Sequence, residues 1–162
     1  MMELTSKIDV LIDQLEKGPV VLKDLLDHIP EKTIKEHRKK GKWSIHEHAC
    51  HIAQADDMIL DRFRRFQNEE HPVFEPYLPD TGVNKLNLLE LDLGVEMNRF
   101  IILRKKMTRL LKGFHHQTWQ KSADHLEYTT YNAYILLRHT LMHQYFHMYR
   151  IEELWLTRHD FL

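Results

Sequence analysis

Leu4, Ile8, Leu11 and Leu15 recur at steps of four and three residues, which draws one apolar stripe along a helix. Gly18-Pro19 interrupts the stripe, and Val21, Leu22, Leu25, Leu26 and Ile29 resume it up to Pro30. The pattern predicts one kinked helix or two consecutive ones. Residues 31–41 are mostly charged and read as a loop with a short turn. A second helix starts at Ser44 and Glu47, which fit a capping box: the hydroxyl accepts the third amide and the carboxylate reaches back to the first. Ile45, Ile52, Ile59, Phe63 and Phe66 form its buried stripe, and it ends before His71-Pro72. Segment 71–82 holds Pro72, Pro76, Pro79, Phe74 and Tyr77, and is expected to be an ordered crossing loop.

A third helix is predicted from about Val83 to Leu111. Leu86, Leu89, Leu93, Met97, Phe100, Arg104, Met107 and Leu111 form its near-heptad stripe, and Gly113 is its stop. A fourth is predicted from about Tyr131 to Thr157 with Thr129 or Thr130 as N-cap. The stretch between them leaves room for a short extra helix. No segment alternates as a strand would. The expectation is an all-α protein, an antiparallel four-helix bundle forming a single domain over 1–162.

Composition agrees: 5 glycines and 5 prolines in 162 residues leave long uninterrupted segments. Lys plus Arg is 23 and Asp plus Glu is 24, a net charge of −1, which argues against nucleic acid as the partner and against a polybasic membrane anchor. The single cysteine, Cys50, excludes an internal disulfide framework and an all-cysteine zinc site. No apolar run approaches the roughly 20 residues needed to span a bilayer. The opening MMELTSKIDV lacks a basic and then apolar leader, so a soluble cytoplasmic protein is expected.

The 13 histidines change this bland picture. His139, His143 and His147 follow one another at four-residue steps. At this histidine content such pairs arise by accident, so placement carries more than the count. On a helical wheel His143 lies within about 20° of Leu136 and Leu154, with His139 and His147 about 40° to either side. All three therefore fall on the stripe that faces the bundle interior. Two imidazoles four apart can bind one ion, and a third from a facing helix completes a three-nitrogen site. The alternative is that each ring bonds a carbonyl or side chain across the core. The second helix offers His46, His48 and His51, and periodicity leaves His48 and His51 level. Glu47 is a helix-start residue or a carboxylate supporting the metal ligands. Cys50 points about 100° away from His51 and reads as a small packed residue. An HExxH site fails because Cys50 stands where its second histidine would be, and no repeated Glu-x-x-His, CxxCH, P-loop or GxGxxG occurs.

The string Trp43-Ser44-Ile45-His46-Glu47-His48-Ala49-Cys50-His51-Ile52-Ala53 resembles the W-S-x-x-E-x-x-x-H-L-A opening of helix two in the DinB/YfiT-like family. The late string from His143 through His147 to Arg150-Ile151 resembles that family's H-x-x-x-H-x-x-Q-I on helix four. The resemblance implies a four-helix bundle, often a homodimer, with one divalent metal held by His51, His143 and His147. His48 and His139 are then left to line a pocket or support the ligands. Zinc and nickel best suit such imidazole ligands, and manganese and iron remain open. Arg150 departs from the family's glutamine. Three roles are open to it: pairing with a carboxylate such as Glu47 or Asp57, reaching to solvent, or anchoring an anionic group of a substrate.

Three neutral imidazoles leave an ion its full charge and an open position, which activates a water or holds a thiolate. Relatives of this kind include transferases that use low-molecular-weight thiols and a mycothiol-dependent isomerase. The expected function is a metal-dependent enzyme acting on a small molecule, thiol-S-transferase-like or hydrolase-like, whose catalytic group beyond the metal is undefined. The alternative is a non-catalytic metal-binding or stress-response module. A cavity beside the ligands would favour the enzyme.

Overall fold

The computed structural model describes residues 4–76 and 87–161. Among these residues the six α-helices are α1 (Leu4–Asp27), α2 (Glu31–Ile34), α3 (Ile45–Asn68), α4 (Leu93–Lys112), α5 (His116–Gln120) and α6 (Ala133–Leu156). The four long ones form the expected all-α four-helix bundle. A two-residue parallel ribbon, β1 (Val73–Phe74) with β2 (Asp124–His125), ties the loop after α3 to the loop before α6.

The predicted interruption at Gly18-Pro19 does not divide α1, which is one helix with Pro19 inside it. An interior proline costs about 3 kcal/mol in an isolated helix. Here Ile8, Ile12, Leu15, Leu22 and Leu26 are buried on both sides of it and hold the helix in place. Gly18 has a packing reason: a Cβ there would stand 2.1 Å from Oε1 of the buried Gln144, so any larger residue must displace that side chain.

The second helix starts as predicted. The Ser44 hydroxyl accepts from the Glu47 amide and the Glu47 carboxylate accepts from the Ser44 amide. The third starts later than predicted, at Leu93 instead of about Val83. Asn87 caps a short 3-10 turn over Leu88–Glu90, and the Asp92 carboxylate accepts from Val95 to begin α4. These two caps set the chain direction against the apolar periodicity. Residues 77–82 of the predicted crossing loop, and 83–86 of the predicted helix, lie outside the described residues. The fourth helix is capped by Asn132 and not by Thr129 or Thr130. The Tyr131 carbonyl accepts from the Ala123 amide, so the chain is still extended there and cannot yet be helical. The short extra helix between the third and fourth is α5.

Helix α1 packs against α4 and α6, and α3 packs against the same two, so α1 and α3 face each other across a diagonal. Gln54 bonds Glu96, and Asp56 pairs with Arg104, so α3 and α4 run in the same direction. His51 meets His143 while the earlier His48 meets the later His147, so α3 and α6 run in opposite directions. Arg38, in the connection to α3, donates to the carbonyls of Leu154, Trp155 and Thr157 and so caps the end of α6.

Two apolar clusters fill the bundle. One gathers Leu15, Phe63, Phe66, Phe74, Met107 and Leu137; the other gathers Leu22, Ile45, Ile52, Phe100, Ile151 and Leu154. Between them lies a polar layer of His51, Asp56, Arg104, His143, Gln144 and His147. The candidate chemistry sits in that layer.

Candidate metal centre

Two helices supply the histidines. His48 and His51 are one turn apart on α3, and His143 and His147 one turn apart on the facing α6. Because the helices are antiparallel, the two pairs meet rung by rung. Nε2 of His51 lies 3.0 Å from Nε2 of His143, and Nδ1 of His48 lies 2.8 Å from Nδ1 of His147. Among the described residues, His51, His143 and His147 present one nitrogen each within 4.8 Å of one another. His51 and His147 are buried and His143 is half-buried at the edge.

Trp43, one residue before the N-cap of α3, lids this group. Its ring centroid stands 4.8 Å from that of His51, 5.4 Å from His48 and 5.9 Å from His147, with which it is stacked at 22°. Burial holds the rings neutral. His51 and His143 are lowered from 6.5 to about 4, first by desolvation and then because a proton there would be repelled, by an imidazolium at His48 for the former, and by one at His51 and by Arg104 for the latter. His48 is lowered to about 4 by burial and by Arg150. His147, with His143, His51 and His48 around it, falls to about 2. Neutral imidazoles are the form that binds metal.

Below the histidines Arg104, only 1% exposed, donates to both oxygens of the fully buried Asp56 at 2.6 and 3.0 Å, and its guanidinium lies 4.8 Å from the centre of the Phe100 ring. Beside His143 opens a cavity of about 180 Å³, walled by Arg62, His125, Tyr128, Tyr131, His139 and Thr140. Tyr128 and Tyr131 stack at 5.5 Å and 10° along one side. Burial lowers the pKa values of His125 and His139, and neighbouring arginines add to this.

His139 stays outside the convergent group and lines the cavity, 5.2 Å from the Tyr128 ring. His46 is buried and turns to the backbone of Leu88 and Leu91. Glu47 spends its carboxylate on Ser44 and on His37, 2.7 Å away, at the helix start. Arg150 pairs with Glu153 on its own helix, and neither Glu47 nor Asp57 is its partner; Asp57 pairs with Arg99. Cys50 is fully buried and its thiol is pushed up to about 12 by burial, which suits a packed residue and no nucleophile.

Sequence reasoning gave Trp43 no role beyond the motif, and it missed the Asp56–Arg104 pair and the cavity wall apart from His139. An arginine within the apolar stripe of α4 was the available signal for the pair, since a buried guanidinium requires a buried acid. Tyr128 and Tyr131 lie in a stretch without helical periodicity, where no pattern places them.

The class defined by this fold and site is a four-helix bundle with three histidines converging between two of its helices. The chain belongs to the DinB superfamily, whose family profile matches residues 14–151. Among solved structures it is similar to YfiT from Bacillus subtilis, described as a probable metal-dependent hydrolase with an unusual four-helix bundle topology. That likeness has a TM-score of 0.79 at 20% identity, over 95% of this chain and 88% of that chain, and it is a likeness of fold. No curated protein matches the chain. Among the described residues, no helix is long and apolar enough to cross a membrane.

Proposed function

We propose that this protein is a divalent-metal-dependent enzyme whose ion is held by His51, His143 and His147 and whose small substrate occupies the cavity beside His143. The observation that carries the reading is the convergence of three neutral imidazoles at a point where one of them also walls a cavity. The whole set lies within 4.8 Å, and one pair in it already stands at the spacing such an ion needs. Two nitrogens bound at about 2.0–2.1 Å to one centre stand about 3–3.4 Å apart, and the Nε2 atoms of His51 and His143 are 3.0 Å apart. Neutral imidazole suits zinc and nickel. A bound ion would keep its +2 charge and supply a Lewis acid that lets a water ionise near neutral pH or holds a thiol as thiolate.

The chain's own residues do the rest. Trp43 covers the α3 side and excludes water. The cavity has room for about six water volumes, which limits the substrate to a small molecule. Arg62 offers a guanidinium to an anionic group, and the paired tyrosines offer faces to an unsaturated or thioether portion. Hydrolysis and transfer of a low-molecular-weight thiol both fit this set. A site that only stored an ion would have no use for the cavity, which sets the enzyme above a metal-binding module.

Elemental analysis of untagged protein, followed by turnover assays with that metal on ester, amide and thiol-plus-electrophile panels, tests the proposal. His147→Ala should abolish metal binding and His139→Ala should retain it. Equal loss from both, or a wild-type protein that takes up no divalent metal, would overturn it.

A further inference from the structure

His48 is the one buried histidine of α3 that belongs neither to the convergent group nor to the helix start, yet it touches that group directly. Its Nδ1 lies 2.8 Å from Nδ1 of His147. At that distance one nitrogen donates a proton and the other accepts it. His147 therefore has Nε2 left for the centre. A neutral imidazole that offers the Nε2 lone pair to a cation carries its proton on Nδ1. That N–H then donates to Nδ1 of His48, which is the bare nitrogen of a ring protonated at Nε2. Trp43 packs on both rings, edge-on to His48 and stacked on His147.

We propose that His48 is a positioning residue for the metal centre: it accepts the Nδ1 proton of His147 and so fixes the tautomer and the direction of that ring. The assignment rests on the metal reading above. The place opposite a ligand histidine is usually taken by a carboxylate or a backbone carbonyl, and such partners tune the metal as well as orient the ligand. A neutral imidazole accepts the proton without adding negative charge. The ion then faces three neutral ligands and a neutral acceptor. Such a centre favours an anion, hydroxide or thiolate, at its open position over a neutral ligand. The α3 helix thus contributes two histidines one turn apart with different tasks, His51 toward the ion and His48 behind His147.

The test is cobalt(II) binding to metal-free protein, read by calorimetry and by the visible absorption of the bound ion. His48→Leu keeps the volume and removes the acceptor; His48→Asn places an amide oxygen near the position of the imidazole Nδ1; His147→Ala is the ligand control. Circular dichroism confirms that each variant is folded before titration. His48→Leu should bind cobalt about 10- to 100-fold more weakly than wild type, with a changed visible spectrum, and His48→Asn should recover most of the affinity and the wild-type spectrum. Wild-type affinity and spectrum in His48→Leu would overturn the assignment. So would a loss as complete as that of His147→Ala in both His48 variants, which would make His48 a ligand. A wild-type protein that binds no cobalt would overturn the metal reading itself, and the two failures are told apart by that first titration.

Discussion

Acidifying the metal-free protein should unfold it through the site. His48, His51 and His143 are held near 4 and His147 near 2, chiefly by burial. In the unfolded chain the same rings titrate near 6.5. Between those values the unfolded state takes up protons that the folded state refuses, so stability rises with pH and is lost as pH falls. The loss begins near the unfolded value and continues down to about pH 4. At pH 5.5 an unfolded imidazole is about nine-tenths protonated, and each ring kept neutral by the fold costs about 1.4 kcal/mol. Four such rings together cost about 5–6 kcal/mol, a large part of the 5–15 kcal/mol typical of a domain. Urea unfolding in chelator at pH 7.5 and 5.5 measures this as a drop in midpoint at constant slope. His147→Leu should show a pH dependence smaller by about 1.4 kcal/mol over the same interval, because one refused proton is gone. Equal stability at the two pH values would refute the reasoning, as would an unchanged dependence in His147→Leu. The same burial moves release of a bound ion from about pH 6, where a free imidazole would let go, toward pH 4.

Four further outcomes can be measured. Asp56→Ala leaves the Arg104 charge buried and unpaired and should cost about 3–5 kcal/mol, whereas Asp56→Leu with Arg104→Met should cost far less; thermal melts that rank the double variant below the single would refute the pairing. Gly18→Ala should destabilise by about 1–3 kcal/mol despite better helix propensity, because its Cβ meets Gln144, and Gln144→Ala in the same chain should restore stability. Arg150→Gln, which breaks the pair with Glu153 and removes a positive charge near His48, should leave metal affinity within a few-fold of wild type by cobalt titration, and a complete loss would make Arg150 a support of the centre. If the chain pairs with itself, the outward face of α6 is the surface it should use, because Met142, Phe146 and Tyr149 are 61%, 58% and 62% exposed there; sedimentation should show a dimer that Phe146→Glu reduces to monomer.

Periodicity was enough to locate α3, because a complete capping box starts it and an unbroken stripe follows. It misplaced the start of α4, where Leu86 and Leu89 continue the stripe but Asn87 and Asp92 cap separate turns. A cap is one side-chain hydrogen bond, and it outweighs two apolar residues that only extend a pattern. The expectation of an antiparallel bundle did not anticipate that α4 runs the same way as α3, since an apolar stripe is the same read from either end. On α6 the wheel correctly put His143 and His147 inside, but it gave His139 equal standing. What separates them is the facing helix: His51 stands opposite His143 and His48 opposite His147, while Tyr128 and Tyr131 stand near His139. Selection among the histidines of α3 came from the family motif, because His48 and His51 both lie near the stripe and both are buried in the structure.

The polar layer between the two apolar clusters has a consequence for how the helices find their alignment. Leucine, isoleucine and phenylalanine contacts are non-directional, and a bundle held by them alone can slide by a turn at little cost. A one-residue slip of α6 along α3 moves every side chain by about 1.5 Å and turns it by about 100°. The His51–His143 and His48–His147 contacts, at 3.0 and 2.8 Å, survive no such slip, and the Asp56–Arg104 pair locks α4 to α3 in the same way. The layer acts as a key with three teeth that admits one register. The atoms that would hold a metal are therefore also those that exclude the neighbouring alignments of the bundle, so a substitution there trades uniqueness of fold along with chemistry.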